Sequence, residues 1–204
     1  MATLLHISVS PRENASHSRK IGRELVEQFG ALEPTLRVVV RDLARPPLPH
    51  PDRDFVEASL MPEADRKRAQ IDALALSDIL IDELEAADIV VIDTPIHNFT
   101  VPSVLKSWID HIVRPHRTFR SAPEGKIGLL RNRPVYVVVA CGGSFNGGSA
   151  VQADFITPYL KYVFSTIGIF TVDVLLLENL NRGNAKIEQA CVAARHWIKI
   201  RGAV

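Results

Sequence analysis

Five short apolar runs recur along the 204 residues, and the segments between them carry apolar residues at helical spacing. Thr3–Val9, Leu36–Val40, Ile89–Ile92, Val135–Ala140 and Val172–Leu177 read as strands. Their nearly continuous apolar character fits strands buried on both faces. Ser16–Phe29 reads as a helix with Ile21, Leu25, Val26 and Phe29 on one face. Pro62 opens a charged helical region to about Ala87, with a break expected near Ser77. Val101–Val113 follows, with a stripe of Val101, Leu105, Trp108, Ile109 and Ile112. Two more helices are predicted, from about Gln152 to Ser165 and over Asn184–Ile200. Strands separated by helices indicate an α/β doubly wound parallel sheet. Five strands favour the flavodoxin-like order 2-1-3-4-5 over a six-stranded Rossmann sheet. The Pro46–Pro51 segment must run extended, because proline fixes φ and withholds a donor. Only one strand-helix-strand unit precedes it, so residues 1–204 read as a single flavodoxin-like domain.

Composition narrows the function classes. With 47% apolar residues the chain has enough surface to bury, which excludes whole-chain disorder. The 24 Lys and Arg against 23 Asp and Glu leave a net charge of +1, with no basic stripe. That argues against nucleic acid and against a charge-driven membrane partner. The two cysteines, Cys141 and Cys191, make no disulfide framework, and no Cys/His cluster suggests a metal. Cys191 shares a helical stripe with Ile187, Ala194 and Ile198 and is expected in the core. The longest uncharged stretch, Pro134 to Ala153, is too rich in glycine and polar residues to span a membrane. Without a leader-like N-terminus, a cytoplasmic location is expected.

Ligands of open α/β sheets bind beyond the carboxyl ends of the strands, and three such ends are unusual here. The first carries Ser10 and then Ser16-His17-Ser18 at a helix start. Hydroxyls and free N–H groups there suit an anion such as phosphate. The plainer alternative is that Ser16 or Ser18 is simply a helix N-cap, and three hydroxyls around one turn favour the phosphate reading over capping alone. Neither has Glu or Gln three residues on, so no capping-box carboxylate competes. Arg12 either neutralises the anion or is a solvated loop charge. The second end is Ile96-His97-Asn98-Phe99 between Pro95 and Pro102. A rigid loop of this kind can present backbone groups and Asn98 to a flat heterocycle, or it is simply a tight connection. The third is Ala140-Cys141-Gly142-Gly143, where paired glycines admit close approach of a ligand or merely loosen a loop. Cys141 reads as a small residue near the ligand, since no base is identified to activate it. The Gly142–Ser149 run misses a Walker A loop, because Gly148 stands where the lysine is required. No GxGxxG and no GxSxG occurs.

Taken together, Ser10 with Ser16-His17-Ser18, Thr94-Pro95-Ile96-His97-Asn98-Phe99 and Leu105-Lys106-Ser107-Trp108-Ile109-Asp110 carry a resemblance. Arg41-Asp42-Leu43, Arg117-Thr118-Phe119, Gly128-Leu129-Leu130 and Gly142-Gly143 extend it in order, from Leu4 to at least Phe170. The chain resembles the FMN-dependent NADH-azoreductases, also described as FMN-dependent NADH:quinone oxidoreductases. The resemblance implies a flavodoxin-like homodimer with FMN at the subunit interface. Ser10 and Ser16, His17 and Ser18 would take the phosphate. Ile96, His97, Asn98 and Phe99 would meet the isoalloxazine, and Ala140, Cys141, Gly142 and Gly143 its far edge. His97 stands where members usually carry Tyr or Trp, and Phe145 where Tyr or His is common. The surplus of Trp108, Ile109 and Ile112 would supply the dimer face.

The implied chemistry is the flavin's, so the protein needs neither nucleophile nor metal. NADH or NADPH would reduce FMN and leave the same pocket to a quinone or azo acceptor, which gives ping-pong kinetics. Backbone N–H groups of the His97–Phe99 and Gly142–Gly143 loops would stabilise charge on the reduced ring. No catalytic residue is assigned; His97 is a candidate proton donor or substrate contact. A flavodoxin-type electron carrier is the competing reading, although the balanced charge lacks the acidity suited to docking. A flavin-free regulatory module is a third.

Overall fold

A computed structural model describes residues 1–145 and 152–201 of the protein. The Asn146–Ser149 part of the glycine-rich run lies outside the described residues. Strands β1 (Thr3–Ser8), β2 (Arg37–Asp42), β3 (Ile89–Pro95), β6 (Val135–Ala140) and β7 (Val172–Leu177) form one sheet. All its neighbours are parallel, and the order is β2-β1-β3-β6-β7. Counted within the sheet alone, that is the 2-1-3-4-5 order. Strands β4 (Phe119–Ala122) and β5 (Gly125–Gly128) form a separate antiparallel hairpin. The helices are α1 (His17–Leu32), α2 (Arg53–Leu60), α3 (Arg68–Ala86), α4 (Ser103–Ile112), α5 (Ile156–Thr166) and α6 (Asn184–Arg201).

Side chains two apart on a strand share a face, and both faces of the sheet are apolar. Leu5, Ile7, Val90, Ile92, Val137 and Val139 pack with Leu80 and Leu84 of α3, Trp108 of α4 and Phe164 of α5. The opposite set, Leu4, Val91 and Val138, packs with Ile21 and Leu25 of α1 and Ala194 and Ile198 of α6. Each fully buried Leu, Ile, Val or Phe contributes about 1.5–3 kcal/mol, so the helices are held mainly by these two layers. Among the described residues no helix is long and apolar enough to cross a membrane.

Several local expectations change. Helix α3 starts at Arg68 rather than near Pro62 and runs unbroken past Ser77. The Ser77 hydroxyl donates to His111 O of α4 at 2.6 Å, so it ties two helices together instead of ending one. Helix α2 and the β4–β5 hairpin were not foreseen. Asp52 starts α2 by accepting the Phe55 N–H at 2.9 Å, and Phe55 and Ala58 then bury against Leu74 of α3. Helix α5 begins at Ile156 rather than Gln152. Cys191 is half-buried against the α1/α6 layer rather than fully inside it. The largest correction concerns α4. Trp108, Ile109 and Ile112 are 1%, 3% and 0% exposed, so they complete the chain's own core. Trp108 faces Phe164 with ring centroids 6.4 Å apart. They supply no spare dimer face.

Candidate functional site

The chain turns from β1 to β2 on one side of the sheet and to β3 on the other, so the topological switch lies between β1 and β3. At the carboxyl end of β1 the backbone passes through Ser10 and a single 3-10 turn, Glu13–Ala15, before entering α1. Ser16 is the N-cap of α1, its hydroxyl accepting the Arg19 N–H at 3.4 Å. The same hydroxyl lies 3.1 Å from the Ser18 hydroxyl. Ser10 Oγ accepts the Arg12 N–H at 3.3 Å. Ser10, Ser16 and Ser18 are buried, whereas His17 is half-buried and Arg12 exposed. The capping role and the hydroxyl cluster therefore coexist at Ser16. The N–H groups of His17 and Ser18, at the positive end of the helix dipole, have no partner among the described residues.

Behind this loop lies a second polar layer. Arg19 donates from Nε to Ser10 O at 2.7 Å and from its two terminal nitrogens to Asp42, at 2.8 and 2.7 Å. The hydrogen bond to Asp42 is the main cause holding the Arg19 guanidinium above its ordinary value, against burial. Burial pushes the Asp42 carboxyl up, but the Arg19 and Ala44 hydrogen bonds and the nearby arginine charges leave it below its usual range. Deeper still, Asp93 of β3 is fully buried and accepts from Ser8 Oγ at 3.0 and 2.8 Å, with His6 Nε2 at 2.7 Å.

After β3, residues Ile96 to Thr100 form a tight reversal closed by two bonds, His97 N–H to Thr100 O at 3.0 Å and Thr100 N–H to His97 O at 3.1 Å. Its two central residues, Asn98 and Phe99, have φ of 46° and 75°. Asn tolerates that region; Phe does so at a cost of order 1–3 kcal/mol. The turn takes up the His97 N–H, so among the described residues the Asn98 and Phe99 N–H groups of this loop have no partner and are left to meet a ligand. His97 is exposed.

Ile96 N–H donates to Ala140 O at 3.0 Å, which locks this reversal beside the end of β6. Ile96, Asn98 and Phe99 then share a cleft of about 290 Å³ with Cys141, Gly142 and Gly143. Phe145, Gln152 and Asn181 complete its lining. His97 and Ala140 flank the cleft without lining it, and the serine cluster lies apart, at the end of β1. A Cβ on Gly142 would stand 2.4 Å from Asn181 Nδ2, so the glycine lets the Asn181 side chain pack directly against this wall. The Cys141 thiol is buried and donates to Val139 O at 3.6 Å. Burial, reinforced by Glu178 and Asp154, pushes it up to about 12, so it stays protonated and is no nucleophile. Gln152 and Asn181 were missed in the sequence. The signal for Asn181 was its place just after β7, a fourth strand end at the same edge of the sheet.

The residues present fit a flavin phosphate and ring. Buried hydroxyls and, among the described residues, two N–H groups without a partner at a helix start suit a dianion, and the cleft with its Asn98 and Phe99 N–H groups and its Ile96, Phe99 and Phe145 side chains suits a flat heterocycle.

Comparisons with known proteins agree. A family described as having a flavodoxin-like fold matches residues 2–200. FMN-dependent NADH:quinone oxidoreductase 2 of Cupriavidus pinatubonensis is 52% identical over 197 residues, 97% of this chain and 96% of its own. FMN-dependent NADH:quinone oxidoreductase 5 of Burkholderia lata is 45% identical, covering 92% and 90%. The crystal structure of an azoreductase from Bacillus anthracis superposes over all of both chains with a TM-score of 0.88 at 24% identity, which supports the fold. With this fold and these relatives, the chain belongs to the flavodoxin-like family of FMN-dependent NADH:quinone oxidoreductases.

Proposed function

We propose that this protein is an FMN-dependent oxidoreductase that passes electrons from NADH to a quinone or azo acceptor. The observation that carries the reading is Phe99. It holds a left-handed backbone beside the cleft, and its ring is 55% exposed instead of packed in the core. A glycine would occupy that position without strain, so the aromatic ring is kept for what it meets.

When bound, FMN would supply the two-electron chemistry between NADH and the acceptor. The protein's part is to hold and polarise. Ser10, Ser16 and Ser18, with the His17 and Ser18 N–H groups, bind the phosphate. Ile96, Phe99 and Phe145 flank the ring and exclude water from its plane. The Asn98 and Phe99 N–H groups favour negative charge at the ring edge, a preorganised electrostatic role. His97, exposed at the rim, meets the acceptor. One pocket serves both substrates in turn, which gives ping-pong kinetics. A homodimer completes the cleft. Because α4 has no spare apolar face, its contacts come from apolar groups left exposed, among them Phe155 and Tyr162.

The visible spectrum of the purified protein, with mass identification of the released cofactor and an NADH:quinone assay, tests this. Flavin bands, FMN and turnover are expected. Flavin without NADH turnover would favour an electron carrier, and a colourless protein that does not take up FMN would overturn the reading.

A further inference from the structure

We propose that Arg19 is a positioning residue for the phosphate loop, acting through Asp42 without touching the phosphate itself. The inference rests on the reading of the serine cluster as the phosphate site. Three contacts place it there. The Arg19 N–H fixes the Ser16 hydroxyl, its Nε–H fixes the Ser10 carbonyl, and its two terminal nitrogens grip Asp42 at the end of β2. The Arg19 backbone amide holds the Ser16 end of the loop, and its side chain ties the Ser10 end to the neighbouring strand. Asp42 is fixed in turn by the Ala44 N–H, 2.9 Å away. The arginine is 8% exposed, and a bidentate carboxylate pair sets both its distance and its plane. Its charge is matched by Asp42, so it does not serve as the free cation facing the ligand. Arg12, exposed and without a salt bridge among the described residues, is better placed for that.

This role makes a prediction that general stabilisation does not. Loosening the loop harms ligands that carry a phosphate and leaves the bare ring unaffected. The full chain, stripped of flavin, is titrated with FMN and with riboflavin, as wild type, Arg19→Gln and Asp42→Asn. Wild type should prefer FMN strongly. Arg19→Gln should lose at least about tenfold in FMN affinity with riboflavin affinity unchanged. Asp42→Asn, which keeps a hydrogen-bonding oxygen, should fall between them and is the variant to rely on if Arg19→Gln folds poorly. Equal loss for both ligands, or an unchanged preference in Asp42→Asn and Arg19→Gln, would overturn the proposal. A wild type that does not prefer FMN would instead remove the phosphate-site reading beneath it.

Discussion

Gly22 lies directly over Asp93: a Cβ on the glycine would come within 2.8 Å of the Asp93 Cβ. Helix α1 therefore rests on the sheet at the buried carboxylate that Ser8 and His6 hold in place. Alanine normally gains about 1 kcal/mol over glycine inside a helix. Overpacking costs about 1–3 kcal/mol, and the obstructing atom here belongs to a side chain pinned by hydrogen bonds. Gly22→Ala should lower stability by about 1 kcal/mol in chemical denaturation. A midpoint at or above wild type would mean that α1 shifts outward freely.

Ser18 is the cleaner probe of the phosphate loop, because Ser16 also caps α1. Removing the cap costs about 1 kcal/mol of stability in its own right. Ser18→Ala should keep the thermal midpoint near wild type while weakening FMN binding by about 1.5–3 kcal/mol, the worth of a charge-assisted hydrogen bond. Calorimetric titration measures it. Unchanged affinity would leave Ser16 and Ser18 as helix-start residues only.

The Arg19–Asp42 pair has a pH signature. The native Asp42 carboxyl sits below its usual range, so its contribution is complete above the unfolded value of about 3.9. It fades as pH falls through the lowered native value. The stability gap between wild type and Asp42→Asn should be constant from pH 5 to 7, taken as roughly the neutral range, and should narrow below about pH 4. A gap that stays constant on acidification would show that the pair does not set it.

Phe99 should trade stability against activity. Phe99→Gly removes left-handed strain and loses a half-exposed ring, with the entropy of a glycine set against the gain. A rise of about 1 kcal/mol in unfolding free energy is expected, together with a fall in kcat/KM for NADH. Full activity in this variant would mean that the ring does not meet the flavin or its substrates.

His97 offers a specificity test. Its backbone is held in the turn while its ring is exposed, so replacement should change stability by no more than about 0.5 kcal/mol. His97→Tyr should raise the ratio of kcat/KM for a bulky azo dye over that for a small quinone, because a larger ring stacks better. Identical ratios and pH profiles in the two proteins would place His97 outside the acceptor path.

The sheet was legible in the sequence because its strands are nearly continuous apolar runs, although only the inner strands β1, β3 and β6 are buried on both faces and the edge strands β2 and β7 stay partly exposed. Val135–Ala140 and Val172–Leu177 are predicted and observed with the same bounds. The strand-end rule likewise pointed to the edge where the serines, Asn98, Phe99 and the glycine pair lie, since local features mark them: hydroxyls at a helix start, a proline-bracketed turn and a Gly-Gly step. What the tertiary structure alone decided is non-local. Arg19 and Asp42 are 23 residues apart, and His6 and Asp93 are 87 apart, so no periodicity links them. The α4 stripe shows the same limit. Its composition cannot say whether Trp108, Ile109 and Ile112 face a partner or their own chain, because that depends on α3 and α5 closing over them. Gln152 and Asn181 join the cleft for the same reason: their place follows from which strands the sheet sets side by side, and hydrophobic pattern carries no record of that neighbourhood.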